Sequence, residues 1–216
     1  LELPRLLVLK LSAYVAAVVV AAVPLAPPTR MSLPAPPLRT SAPARPRIRS
    51  SCAVPLSAGR FSGPQKDIYE LVLESQLACI KAVKPGAPFG KYHDVANQVL
   101  AQGLIDLKLC KGSLQSVLEK ETYKQFYMHR AGHWLGLDVH DAGDYKRDGK
   151  WLPLKPGMVL TVEPGLYIRP ADNVPKHFWD IGVRIEDDIL VTDKGNTNLT
   201  ASCPKSVKDV EALTAG

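Results

Sequence analysis

The order of patterns along this 216-residue chain predicts an α+β fold with an antiparallel sheet, helices first and strands after. Two observations carry that expectation. Helical periodicity occupies residues 67–83 and 92–109. Beyond Tyr127, runs rich in β-branched residues at 158–162, 166–168, 183–185 and 189–191 alternate with Gly and Pro turns. A third observation sets the boundary: residues 24–64 hold ten of the 19 prolines and no acid, a composition that cannot bury a core and is expected to be disordered. Two regions follow, 1–60 as an apolar then Pro/Arg-rich segment and 61–216 as the folded part.

In the first region, residues 6–23 form an apolar run interrupted by Lys10, only just long enough to span a bilayer. Basic residues before it and Pro24 after it fit a signal-peptide core; a mis-joined sequence is the bland alternative. The Arg- and Ser-containing stretch that follows also fits an organellar transit peptide, so the expected location is cytoplasmic or organellar, mitochondrion or plastid. In the second region, Ile68, Leu71, Val72, Cys79, Ile80 and Val83 define one face of the first helix, which Pro85-Gly86 stops. Val95, Val99, Leu100 and Leu104 point inward from the second. Residues 113–126 read as a short helix or loop.

Charge separates along the same boundary. Residues 1–66 carry nine Lys/Arg against one acid, Glu2, while residues 67–216 carry 18 against 20. The net charge of +6 therefore belongs to the front, which argues against nucleic-acid binding by the folded part. Cys52, Cys79, Cys110 and Cys203 form no CxxC pair, which excludes the usual thiolate zinc site. Cys79 and Cys110 fall in apolar segments and read as buried thiols.

Five side chains carry the chemistry. His129, His133 and His140 lie in YMHRAGHWLGLDVHDAG (127–143), Glu163 in LKPGMVLTVEPGLYI (154–168) and Glu186 in GVRIEDDILVT (182–192). HxxxH can set two imidazoles on one helical face. A zincin would place Glu directly after the first His; Arg130 stands there, and the third His comes one residue too late for a metzincin. Glu163 ends a run of strand-formers before Pro164-Gly165. Period-two alternation puts Arg184, Glu186 and Asp188 on one strand face, with Arg184 beside Glu186 as a buried pair or substrate contact. The Asp187-Asp188 doublet is expected at the turn-facing end. Carboxylates inside apolar stretches need a cation or hydrogen-bond donors to offset their desolvation, which points to a divalent-metal hydrolase.

These three segments, in this order and spacing, resemble the M24 metallopeptidases, and within them the Xaa-Pro aminopeptidases, from about Phe61 to Leu213. The resemblance implies a pita-bread domain, present here as its later portion, with a curved antiparallel sheet. It implies two divalent ions, usually manganese, held by Asp, Asp, His, Glu and Glu. His133 matches the His ligand; Glu163 and Glu186 match the Glu ligands, Glu186 as the bridging one. His129 and His140 match histidines that contact substrate and stabilise the tetrahedral intermediate, Arg184 a supporting arginine, and Glu163 is also placed to handle a proton. The implied reaction is metal-assisted release of the residue preceding proline, so the expected partner is a peptide with Pro in second position. Neither nucleic acid nor a membrane is expected, and a homo-oligomer is left open.

The chain departs from that pattern in lacking the paired Asp ligands upstream of its first helix. The acids between 67 and 128 are Asp67, Glu70, Glu74, Asp94, Asp106, Glu119 and Glu121, all in helix-like or loop segments, and Asp141-Ala142-Gly143 follows the histidines rather than preceding them. The expectation is weak metal binding and impaired hydrolysis by the chain as it stands. The alternatives are a non-catalytic M24-like binding module and a prolidase-type dipeptidase.

Overall fold

The computed structural model describes residues 18–21, 59–137 and 139–214. Apart from 18–21 and 59–60, the expectations for residues 1–60 lie outside the described residues. Helix α1 (Gly63–Ala82) starts where the sequence supplies a complete cap. The Ser62 hydroxyl accepts from the Gln65 amide, the Gln65 side chain accepts from the Ser62 amide, and Pro64 occupies the first turn. Its inward face is Ile68, Tyr69, Leu71, Val72 and Cys79, all buried. At its C-terminal end the Val83 amide donates to Ile80 O at 3.1 Å, and the Asn196 side-chain amide adds donors to Ile80 O at 2.8 Å and Val83 O at 2.7 Å. Helix α2 (Lys91–Asp106) packs against it through Tyr92, Ala96, Leu100, Ala101 and Leu104. The short helix α3 (Leu114–Glu119) and a 3-10 turn at Thr122–Gln125 follow, within the span expected to be a short helix or loop.

The rest is antiparallel strand. One sheet has the order β1 (Val18–Ala21), β8 (Ile181–Ile185), β7 (Gly165–Ile168). The other has β10 (Gly195–Asn198), β9 (Asp187–Thr192), β6 (Val159–Val162). Two small hairpins pair β2 (Leu135–Gly136) with β3 (Val139–His140), and β4 (Lys146–Arg147) with β5 (Lys150–Trp151). Helix α4 (Val207–Thr214) ends the described chain. The architecture is thus the α+β layering expected, helices over antiparallel strands. Among the described residues, no helix is long and apolar enough to cross a membrane.

The register between the two sheets matters most. Val162 pairs with Asp187, and Gly165 pairs with Arg184. The same register holds on both sides of the break, so β6–β7 and β9–β8 form one two-stranded ribbon. Glu163 and Glu186 then stand directly opposite each other at its interruption. The interruption has a cause in the sequence: Pro164 has no N–H to give, and only its carbonyl stays in the ladder, accepting from the Ile185 amide at 3.3 Å.

One possibility left by the sequence is decided here and one expectation is corrected. HxxxH can set two imidazoles on one helical face, but this segment is extended, in line with the strand character read beyond Tyr127. Residues 131–134 run alongside β6 as an extra extended segment, with Glu163 N donating to Ala131 O at 2.7 Å and Thr161 N to His133 O at 2.9 Å. The Asp187-Asp188 doublet is not at a turn-facing end: both residues begin β9 and are 0% and 3% exposed. Asp187 faces α1, where the Gln76 amide donates to it at 2.5 Å, the Thr200 hydroxyl at 2.5 Å and the Lys205 ammonium at 3.0 Å. Those donors offset the cost of burying its charge.

Candidate metal centre

Alternation along the ribbon puts Thr161, Glu163, Glu186 and Asp188 on one face, away from the Asp187 side. His133 reaches that face from the segment lying along β6. Its donor atom and one oxygen each from Glu163 and Glu186 all lie within 4.8 Å of one another. His133 Nε2 is 3.3 Å from Glu163 Oε1, and both side chains are nearly closed to solvent, 13% and 12% exposed. His133 Nδ1 is 2.8 Å from the Trp134 carbonyl, so it carries the proton and leaves Nε2 as the free donor.

Two carboxylates directly opposite on paired strands repel, and this pair is buried. The consequence falls on Glu186, whose carboxyl is pushed up to about 7, first by burial and then by Glu163, with Arg184 opposing. Asp188 is pushed up to about 6 by burial and by Asp187, against the pull of His133. One imidazole nitrogen and two carboxylates suit a divalent cation of hard or borderline character. Ligands about 2.1–2.2 Å from one ion lie at most ~4.4 Å apart, so this set closes on one cation with a contraction of a few tenths of an ångström. The donor set therefore fits a metal, which would relieve the repulsion that Arg184 only partly offsets. A second ion about 3.5–4 Å away would need further anionic ligands. Among the described residues, the group that converges is His133, Glu163 and Glu186 alone.

The other expected residues surround this cluster. Arg184 Nε lies 3.6 Å from Glu163 Oε2, not primarily beside Glu186 as alternation suggests. His129 stands one step further out, its Nε2 2.9 Å from the Tyr167 hydroxyl and its Nδ1 2.7 Å from the Arg130 carbonyl. Burial raises the Tyr167 phenol, while Arg184 lowers it. His140 is carried on the β2–β3 hairpin opposite Leu135, its ring 4.1 Å from that of His133. It is exposed, whereas His133 is not. The acids Asp94, Asp106 and Asp141 are exposed and outside the cluster.

Four residues at or beside the centre were not among those expected from sequence as site residues. Thr161 and Asp188 each stand two positions from an expected Glu, and strand alternation applied outward from Glu163 and Glu186 would find both. Tyr167 is joined to the site only through His129. His93, on α2, accepts the Ala131 amide at Nδ1 at 3.2 Å and so ties the histidine segment to the helix layer. Burial, then Arg130, His129 and Lys124, lower its pKa to about 4. No local pattern marks it.

Comparison with known proteins identifies the family. The family model for metallopeptidase family M24 matches residues 47–193. The Xaa-Pro aminopeptidase of Haemophilus influenzae is 48% identical over 155 residues, covering 72% of this chain and 36% of that protein. The structure of Pseudomonas aeruginosa aminopeptidase PepP superposes with a TM-score of 0.71 at 50% identity, covering 73% of this chain and 36% of that one. Escherichia coli aminopeptidase P with the inhibitor Pro-Leu gives a TM-score of 0.69 at 44% identity, covering 72% and 35%. Another structure of that enzyme is zinc-substituted and holds product. The chain thus spans little more than a third of the length of these relatives. It belongs to metallopeptidase family M24.

Proposed function

We propose that this chain carries the His–Glu–Glu portion of a metalloaminopeptidase centre of the Xaa-Pro type, acting on peptides with Pro in second position. The single observation behind the reading is the convergence of His133, Glu163 and Glu186 within 4.8 Å on one face of the ribbon. Those three residues would hold divalent metal, manganese by resemblance, with the second ion of a two-metal centre needing further anionic ligands. When bound, such ions supply Lewis-acid polarisation of a carbonyl and lower the pKa of water. The chain's own groups do the rest. Glu163, between His133 and Arg184, takes and returns the proton. His140, beside His133, donates where negative charge grows on the substrate oxygen, and His129, held by the Tyr167 hydroxyl and the Arg130 carbonyl, faces the substrate one step further out. Arg184 holds the Glu163 carboxylate in orientation.

With two carboxylates and one imidazole, the centre holds metal weakly and hydrolysis by this chain is impaired. The test is a Mn2+ titration of the 216-residue chain followed by electron paramagnetic resonance, with an Xaa-Pro tripeptide assay alongside. The expected result is weak Mn2+ binding, lost in Glu163→Gln, with little or no turnover. Near-stoichiometric manganese with turnover that Glu163→Gln abolishes would refute the impairment. Identical Mn2+ binding by wild type and Glu163→Gln would refute the site.

A further inference from the structure

We propose that Thr161 is a positioning residue that fixes His133 and Glu163 relative to each other as donors; this rests on the reading of the site given above. Thr161 is fully buried in β6, where Val would be the cheaper strand residue. Its hydroxyl is used in both senses. It accepts the His133 amide at 3.0 Å and donates to Glu163 Oε1 at 3.0 Å. One side chain thereby joins the backbone of one donor residue to the carboxylate of another. Its own amide donates to the His133 carbonyl, so Thr161 grips His133 on both sides of that residue.

The surroundings are built for this contact. The histidine segment comes so close to β6 that a Cβ at Gly132 would collide with the Thr161 carbonyl oxygen. Glu163 is held at both ends: Thr161 on Oε1, Arg184 facing Oε2 at 3.6 Å. A carboxylate fixed this way cannot swing its oxygens away from the His133 ring. Partners of this kind orient metal ligands, and their loss is felt as affinity rather than as fold.

The experiment compares Mn2+ affinity by electron paramagnetic resonance, and the visible absorption of bound Co2+, for wild type, Thr161→Ser, Thr161→Val and Thr161→Ala, each checked for folding by circular dichroism. Ser keeps the hydroxyl; Val keeps the shape without it; Ala removes both and serves if Val does not fold. Val and Ala are expected to bind Mn2+ roughly 10- to 100-fold more weakly, or below detection, with altered Co2+ bands, while Ser stays close to wild type. A folded Val or Ala variant that binds like wild type overturns the inference, and so does a Ser variant as weak as Val. A wild-type chain that binds no Mn2+ overturns the reading of the site and this inference with it; the first two outcomes overturn this inference alone.

Discussion

Glu186 is a residue whose local environment opposes its own charge. It is 8% exposed, it faces Glu163 across the ribbon, and its carboxyl sits at about 7 instead of the ordinary 4.5. A carboxyl raised in the folded state contributes stability that is complete below its unfolded value. That contribution is lost as pH rises through the folded value. The window here runs from about 4.5 to about 7, so at pH 8 without metal the contribution is gone and the like-charge pair remains. Glu186→Gln should therefore stabilise the metal-free chain at pH 8 by about 1 kcal/mol, seen as a higher Tm in the presence of a chelator. A lower Tm for the variant would show that Glu186 is paid for by contacts other than a cation. Asp187, its neighbour, behaves oppositely: Gln76, Thr200 and Lys205 surround it, and it needs no metal. Two adjacent acids thus serve opposite faces, one held by the protein and one left for an ion.

At the scale of elements, the segment 129–134 decides whether the site exists. It is bound to β6 by backbone hydrogen bonds and to α2 by His93, whose Nδ1 must be unprotonated to accept the Ala131 amide. The pKa of His93 falls from 6.5 to about 4 in the fold, chiefly through burial and then through Arg130. The sign is that of a depressed group: its contribution is complete above the unfolded value and is lost as pH falls through the folded one. Stability should decline as pH drops from about 6.5 to about 4, and His93→Gln should flatten the part of that decline due to this residue. Chemical denaturation of both proteins across that range measures it; parallel curves would contradict the role given to His93. The helices were legible because their apolar periods are local: α1 and α2 lie close to the spans the pattern marks, with Val95 and Val99 packed on the core edge rather than fully inside. The strand runs were legible for the same reason. The pairing of the histidine segment was not. HxxxH spacing is the same in a helix and in an extended segment, and the deciding partner, β6, lies some thirty residues further on.

At the scale of the whole molecule, two layers meet along one ribbon and give it two chemically distinct faces. Toward α1, Asp187 is neutralised within the fold; away from it, Thr161, Glu163, Glu186 and Asp188 line up under His133. Glu163 and Glu186 could be picked out from sequence, Glu163 because it precedes Pro164-Gly165 at the end of a strand run and Glu186 because it is a carboxylate within an alternating, partly apolar run. Their direct opposition could not, because it depends on a register set by pairing across the break. Asp187 was misread for a similar reason: its donors come from Gln76, 111 residues before it, and Lys205, 18 after. The account as a whole depends on His133, Glu163 and Glu186 binding a single cation together. The direct measurement is paramagnetic broadening of assigned NMR resonances as Mn2+ is added to the 216-residue chain. The signals of His133, Thr161, Glu163 and Glu186 should disappear first, while those of Asp94, Asp106 and Asp141 persist. Broadening centred on those exposed acids, with the ribbon signals intact, would contradict it.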